Sequence, residues 1–141
     1  MAQHVETLTL EVATPIGLAL RTQAETVQAP SVRGEFGVLP GHLPLLAAVR
    51  AGILRYRIEG KDHQAAIGPG FIEAGPDKVR LLTEMFSKPD EVDIEATKTE
   101  LVAAEERLKA FKDEHEGQVY EEAERDVDWA RAKLEITKDR I

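Results

Sequence analysis

A chain of 141 residues holds one ordinary domain, or a small domain with an appendage. It has no cysteine, which excludes disulfides and thiolate metal sites and fits a reducing compartment. Its formal charge of −8 comes without a basic stripe, which argues against a nucleic-acid binder, since that affinity rests on neutralised phosphates. There is no run of about 18 apolar residues, so no membrane span is expected. Met1-Ala2-Gln3-His4-Val5-Glu6 has neither the basic nor the apolar region of a secretory signal.

Along the chain, Leu8, Leu10 and Val12 alternate with Thr7, Thr9 and Glu11, the period-2 pattern of a half-buried strand. Next comes Gly34-Glu35-Phe36-Gly37-Val38-Leu39-Pro40-Gly41-His42-Leu43-Pro44-Leu45-Leu46. Glycine permits positive φ and proline fixes φ, so this segment is expected to be a sharply shaped loop. Leu43, Leu45 and Leu46 are costly to leave in water, so a core or a partner is expected to cover them. Taken alone, the segment reads as a long connection folded over a sandwich. Residues 53–59 put Leu54, Tyr56 and Ile58 on one face, and Gly60-Lys61-Asp62 reads as a hairpin turn into 63–67. Gly68-Pro69-Gly70 punctuates the next connection. Residues 71–74 and 78–83 form another strand pair around Gly75-Pro76-Asp77. Many short strands at this spacing predict an antiparallel β-sandwich over residues 1–88.

Pro89 ends that pattern, and Asp90 is placed to cap a helix. The charge changes at the same point. In residues 1–88 nine basic and nine acidic side chains cancel, whereas residues 89–141 carry nine basic and seventeen acidic ones. Two parts with different roles are expected, 1–88 and 89–141. In the second part Ile94, Leu101 and Leu108 recur every seven residues, as do Thr97, Ala104 and Phe111, giving one narrow apolar stripe on a helix. Glu91, Asp93 and Glu95 favour the positive end of its dipole. After a polar break at 112–117, Val119, Ala123, Val127, Ala130 and Leu134 line a second helix. The two predict an antiparallel two-helix hairpin, with alanines at 104, 123 and 130 allowing close approach.

No catalytic constellation emerges. His42 has no Ser, Cys or Asp close by in the sequence to form an activated pair, so a small hydrolase built on it is disfavoured. His4, His63 and His115 fall in different elements and show no metal-ligand spacing. Gly68-Pro69-Gly70 lacks the phosphate-loop pattern. Asp128 and Arg131 are placed as an i,i+3 surface pair. Arg131, Lys133, Lys138 and Arg140 suit the negative end of the last helix.

The loop, the following Arg50-Ala51-Gly52-Ile53-Leu54-Arg55 and the charged helical tail together resemble the epsilon-subunit family of the bacterial rotary ATP synthase, called delta in mitochondria. That family carries G-E-[FL]-G-[VI]-L-P-G-H-x-P-L-L, then a short G-[IM]-[LI]-R strand, then two closing helices. The resemblance covers essentially the whole chain. It implies a non-catalytic central-stalk subunit that couples the membrane rotor ring to gamma and the catalytic head. It also implies a C-terminal hairpin that extends to the alpha/beta head and inhibits ATP hydrolysis. The implied location is the cytoplasmic face of the cell membrane, peripheral, with membrane association only through the complex. Glu35 is implied to face the polar loops of the ring and His42 to lie near gamma, with Phe36, Leu43 and Leu45 completing the partner-binding set. Arg131, Lys133, Lys138 and Arg140 are implied to engage acidic segments of the beta subunits. Some members bind ATP through [IL]-D-x-x-R-A. Val92-Asp93-Ile94-Glu95-Ala96-Thr97 keeps Asp93 but has Ala96 where the arginine stands, so no nucleotide or other cofactor is expected. Val127-Asp128-Trp129-Ala130-Arg131-Ala132 fits that spacing loosely, but it lies mid-helix and is set aside. The competing expectation is a stand-alone sandwich that binds a ligand or peptide, with the helices as a dimerisation arm.

Overall fold

The computed structural model describes residues 6–111 and 116–138. His4, His115, Arg140 and the first part of the 112–117 break lie outside the described residues. Among the described residues, ten strands come first: β1 (Leu8–Thr14), β2 (Gly17–Ala24), β3 (Thr26–Ser31), β4 (Gly34–Val38), β5 (Leu45–Val49), β6 (Gly52–Ile58), β7 (Lys61–Ile67), β8 (Gly70–Ala74), β9 (Lys78–Thr83) and β10 (Phe86–Ser87). Two helices follow, α1 (Ile94–Lys109) and α2 (Gln118–Ile136).

The strands form one hydrogen-bonded sheet in the order β10-β7-β6-β3-β5-β8-β9-β1-β2, with β4 on the other side of β3. The sheet folds over at β3. Thr26–Gln28 pair with β6, Ser31 pairs with Val49 of β5, and buried Pro30 sits at the changeover. A proline is tolerated there because no ladder bond is asked of its nitrogen, and its carbonyl accepts from Arg50 N–H at 3.0 Å. The fold brings the inward residues of both halves into one core. Leu8, Leu10 and Val12 of β1, Val27 of β3, Leu54 of β6, Ile67 of β7, Ile72 of β8 and Leu81 of β9 are all fully buried within it. The alternation expected in β1 and β6 is what fills this core.

Four local expectations are corrected. The sandwich is not wholly antiparallel, because β1 and β9 run parallel. A parallel pair needs a long crossover, and the strands between the two supply it. The expected loop from Gly34 is half strand. Gly34–Val38 pairs with β3, with Phe36 opposite Ala29 and Val38 opposite Val27, so the loop proper is 39–44. Its glycines hid a period-2 pattern in which Phe36 and Val38 face inward. The β6–β7 turn is Glu59-Gly60, not Gly60-Lys61-Asp62. Both residues have positive φ, 48° and 77°, the mirror-image turn that matches strand twist. Finally, Asp90 caps no α-helix. Pro89–Glu91 makes one 3₁₀ turn, in which the Glu91 carboxylate takes Lys88 N–H at 2.8 Å. Asp93 is the cap, accepting Ala96 N–H at 3.0 Å.

The α1 stripe is as expected, with Thr97 and Ala104 buried and Ile94, Leu101, Leu108 and Phe111 half-buried. In α2, Ala123, Val127 and Ala130 are buried, but Val119 is 66% exposed. Tyr120, one residue on, turns to Phe111 instead, with the rings edge-to-face at 5.5 Å. A second apolar face of α2 escaped the sequence pattern. Ala132, Ile136 and Trp129 pack on Ile53 of β6, Ala66 of β7 and Val92. The hairpin therefore lies along the outer face of β6 and β7.

Gly70 shows how tightly β8 and β9 meet. A Cβ there would stand 1.8 Å from the Leu82 carbonyl oxygen. Gly70→Ala is expected to cost about 3 kcal/mol, because backbone rather than a flexible side chain must move. Urea unfolding checks this, and an unchanged midpoint would contradict it.

Candidate functional site

Loop 39–44 sits at one end of the sandwich, tied to the β8–β9 turn by Gly41 N–H donating to Pro76 O at 2.6 Å. His42 is half-buried, with its N–H donating to Leu39 O at 3.1 Å and its Nδ1 near the Leu43 carbonyl. The sandwich does not cover the leucines of this segment. Leu43 is 80% exposed, Leu46 68% and Leu39 60%, and Leu45 is also accessible. Phe36 and Glu35 point to opposite sides of β4. Phe36 is half-buried against the core, whereas Glu35 is on the outer face and pairs with Arg55 Nη1 at 3.0 Å. The structure thus gathers His42, Leu43 and Leu45 at one end and turns Phe36 inward. Glu35 lies on the side along which the hairpin runs.

A second apolar face was missed by sequence reasoning. Ala48, Phe71, Leu82, Ala13 and Leu18 are cross-strand neighbours in one row over β5, β8, β9, β1 and β2. Phe71, Leu82 and Leu18 are each more than half exposed, and Ile16 beside them is fully so. The row lies on the outer side, because the intervening Val49, Ile72, Leu81 and Val12 point into the core. Phe71 and Leu82 border a groove of about 560 Å³ with Pro15 and Glu84. The sequence shows only that Phe71 and Leu82 stand next to the inward Ile72 and Leu81; which side of the sheet stays uncovered is decided by the fold. Exposed apolar rows of this kind mark interaction surfaces.

The basic residues of α2 are not equivalent. Lys133 is held inside the hairpin, its Nζ 2.9 Å from Glu100 of α1 and 5.0 Å from the Trp129 ring centre. Lys138 pairs with Glu135 at 2.8 Å, one turn back on the same helix. Arg131 is exposed and borders a shallow cleft of about 290 Å³ with Glu35, Arg50 and Asp128. The fold therefore brings Glu35 and Arg131, far apart in the chain, to one cleft. Asp128 shares that cleft with Arg131, as the i,i+3 spacing leads one to expect, but it is less exposed than a surface pair would be. It is half-buried, and burial raises its carboxyl above the ordinary value, opposed by the charges of Arg50 and Arg131 and reinforced by Glu124.

Two residues weighed for chemistry have structural partners. His63 stacks on Tyr56 with centroids 5.4 Å apart. Asp93 is engaged as a helix cap. Among the described residues, no group of three or more His, Asp or Glu side chains could hold a metal ion. No helix among them is long and apolar enough to cross a membrane.

Residues 7–89 match the family model described as ATP synthase, Delta/Epsilon chain, beta-sandwich domain. The ATP synthase epsilon chain of Nitratidesulfovibrio vulgaris (strain DP4) is 38% identical over 133 residues, covering 94% of this chain and 90% of the relative. That of Geobacter sp. (strain M21) is 40% identical over 119 residues, covering 84% and 86%. A chain in the cryo-EM structure of the Euglena gracilis mitochondrial ATP synthase (OSCP/F1/c-ring) shares the fold, with a TM-score of 0.74, 24% identity and coverage of 92% and 79%. So does one in the central stalk/c-ring structure of the Tetrahymena thermophila enzyme, with a TM-score of 0.60 and 11% identity over 96% and 100%.

Asp128 generates a signed pH dependence. Its raised carboxyl binds a proton more readily in the folded chain, so its ionised form weakens the fold at neutral pH. That penalty disappears as pH falls below the ordinary value of 3.8. Asp128→Asn should therefore raise the melting temperature relative to wild type at pH 7, with the gap closing toward pH 4. Thermal unfolding of both proteins across that range measures it, and a pH-independent gap would count against the assignment.

Proposed function

The chain belongs to the delta/epsilon family of ATP synthase subunits, and we propose that it works as a non-catalytic rotor element of the central stalk. In this role it joins gamma to the membrane rotor ring and is held peripherally at the cytoplasmic face of the membrane through the complex. The observation that carries this is the pair of uncovered apolar faces. An isolated sandwich gains nothing by exposing Phe71, Leu82, Leu18 and Ile16 on one side and Leu39, Leu43 and Leu46 at one end. Each face suits a partner that removes it from water. The broad row fits the flat flank of a stalk subunit, gamma. The small loop end, with Leu43 in the loop, Leu45 at the start of β5 and Glu35 on the adjoining strand, fits the loops of a ring, and His42 stays on the gamma side of the contact.

The hairpin is the regulatory part of the proposal. Its contact with the sheet is modest, with Ile136, Trp129 and Ile53 the large side chains among six. At roughly 1.5–3 kcal/mol per buried large side chain, less where burial is partial, docking is worth a few kcal/mol. A partner that binds the extended form better can overturn such a gap. On extension, Arg131, Lys133, Lys138 and Arg140 would meet an acidic surface on the catalytic head. Lys133 must first leave Glu100, which adds to the barrier. The hairpin binds no nucleotide in this proposal, since Ala96 offers no guanidinium where the family motif has one and Asp93 is committed to capping.

Two outcomes are expected. Phe71→Ser with Leu82→Ser should weaken binding to purified gamma at least tenfold by calorimetry without lowering the melting temperature, since both side chains are already exposed. Undiminished binding would remove that face from the proposal. Deleting residues 118–141 should raise ATP hydrolysis by the assembled complex while synthesis in membrane vesicles stays largely intact. Unchanged hydrolysis at low and high ATP would show that the hairpin does not inhibit.

A further inference from the structure

The docking groove and the hairpin share one residue. Glu84 follows β9 directly and borders the groove next to Phe71 and Leu82. On its other side its Oε2 lies 3.6 Å from Nη1 of Arg125 on α2. Arg125 does not stop there. Its Nη2 is 3.1 Å from Oδ1 of Asp126, and Oδ2 of Asp126 is 3.5 Å from Nη2 of Arg107 on α1. One chain of charges thus runs from the edge of the groove through α2 to α1.

The arrangement has the chemistry of a releasable contact. A fully buried pair would strand a charge when broken. Here Arg125 is about one-third exposed and keeps Asp126 when Glu84 leaves, and Glu84 is 60% exposed and returns to water. The contact can therefore open without leaving an unpaired buried ion. It also lies toward the N-terminal half of α2, beyond the apolar seam of Trp129, Ala132 and Ile136. Losing it removes the ionic tie at that end while the seam remains.

We propose that Glu84 is the clasp that ties the hairpin to the sandwich and the point at which a partner seated in the Phe71–Leu82 groove loosens it. The partner half of this rests on the docking role given to that groove above. A partner covering Phe71 and Leu82 meets Glu84 at the rim, and any cation or backbone donor it offers there competes with Arg125. Docking on the sandwich and release of the hairpin are then linked through one carboxylate, with no movement of the core.

The chain carries its own reporter, because its single tryptophan, Trp129, lies in the seam. Full-length protein labelled with 5-fluorotryptophan gives one fluorine resonance, and gamma is silent. Glu84→Gln and Arg125→Gln should each raise the undocked population roughly two- to fivefold, the range of an exposed ion pair. The double variant should do no more than the stronger single one, since both remove the same contact. Unchanged resonances in both single variants, or additive effects, would overturn the clasp. Purified gamma should shift the wild-type resonance toward the undocked position and shift that of Glu84→Gln less. Gamma that binds by calorimetry but leaves the wild-type resonance in place overturns the link while sparing the docking role. Gamma that does not bind overturns the docking role and the link together, and the variants still decide the clasp.

Discussion

Helix α2 has to fit two surfaces at once. One side meets α1 through Ala123, Val127 and Ala130, and the other meets the sheet through Trp129, Ala132 and Ile136. Small residues make this possible, because a helix between two neighbours has no room for bulk on both flanks. The same choice limits the strength of the attachment. Alanines bring backbones close but bury little area, so the hairpin is held by a few large side chains and a handful of charges. The position of the hairpin, the state of Lys133 and the burial of Asp128 all follow from how α2 is seated.

The charge distribution becomes intelligible in that setting. The net charge of −8 belongs to the residues from 89 on, yet acidic and basic groups there are not simply solvated. Lys133 with Glu100 and Arg107 with Asp126 join α1 to α2, and Arg125 with Glu84 joins α2 to the sandwich. Each is worth little alone at a surface. Together they add ionic ties to a helix that is held by only a few large apolar side chains. A buried lock of the same ions would be costly to open, whereas exposed pairs can exchange partners.

The two uncovered faces are the other half of the design. The sandwich satisfies its core completely, and no buried side-chain polar atom among the described residues lacks a partner. Its remaining apolar surface is therefore not a failure of packing. It lies on strands whose inward sides are packed in the core, along β8 and β9 and at loop 39–44. The backbones of β8 and β9 approach so closely at Gly70 that a side chain there would meet the Leu82 carbonyl.

Much of this was legible from the residues alone. Period-2 alternation in β1 and β6 placed the core, the shift to a seven-residue repeat after Pro89 marked the helices, and the Gly34–Leu46 motif pointed to the family. These signals are local, set by backbone geometry within a few residues. Other features were not local. Glycines masked the strand at Gly34–Val38, and only its pairing with β3 revealed it. The second face of α2 looked polar because Arg125 and Asp128 sit among its apolar residues, and only the sheet beneath showed why Ala132 and Ile136 are there. The exposure of Phe71 and Leu82, the raised carboxyl of Asp128 and the meeting of Glu84 with Arg125 depend on which surfaces the fold covers. Burial and ion pairing join residues distant in the chain, and a one-dimensional pattern carries no record of what will lie across from it.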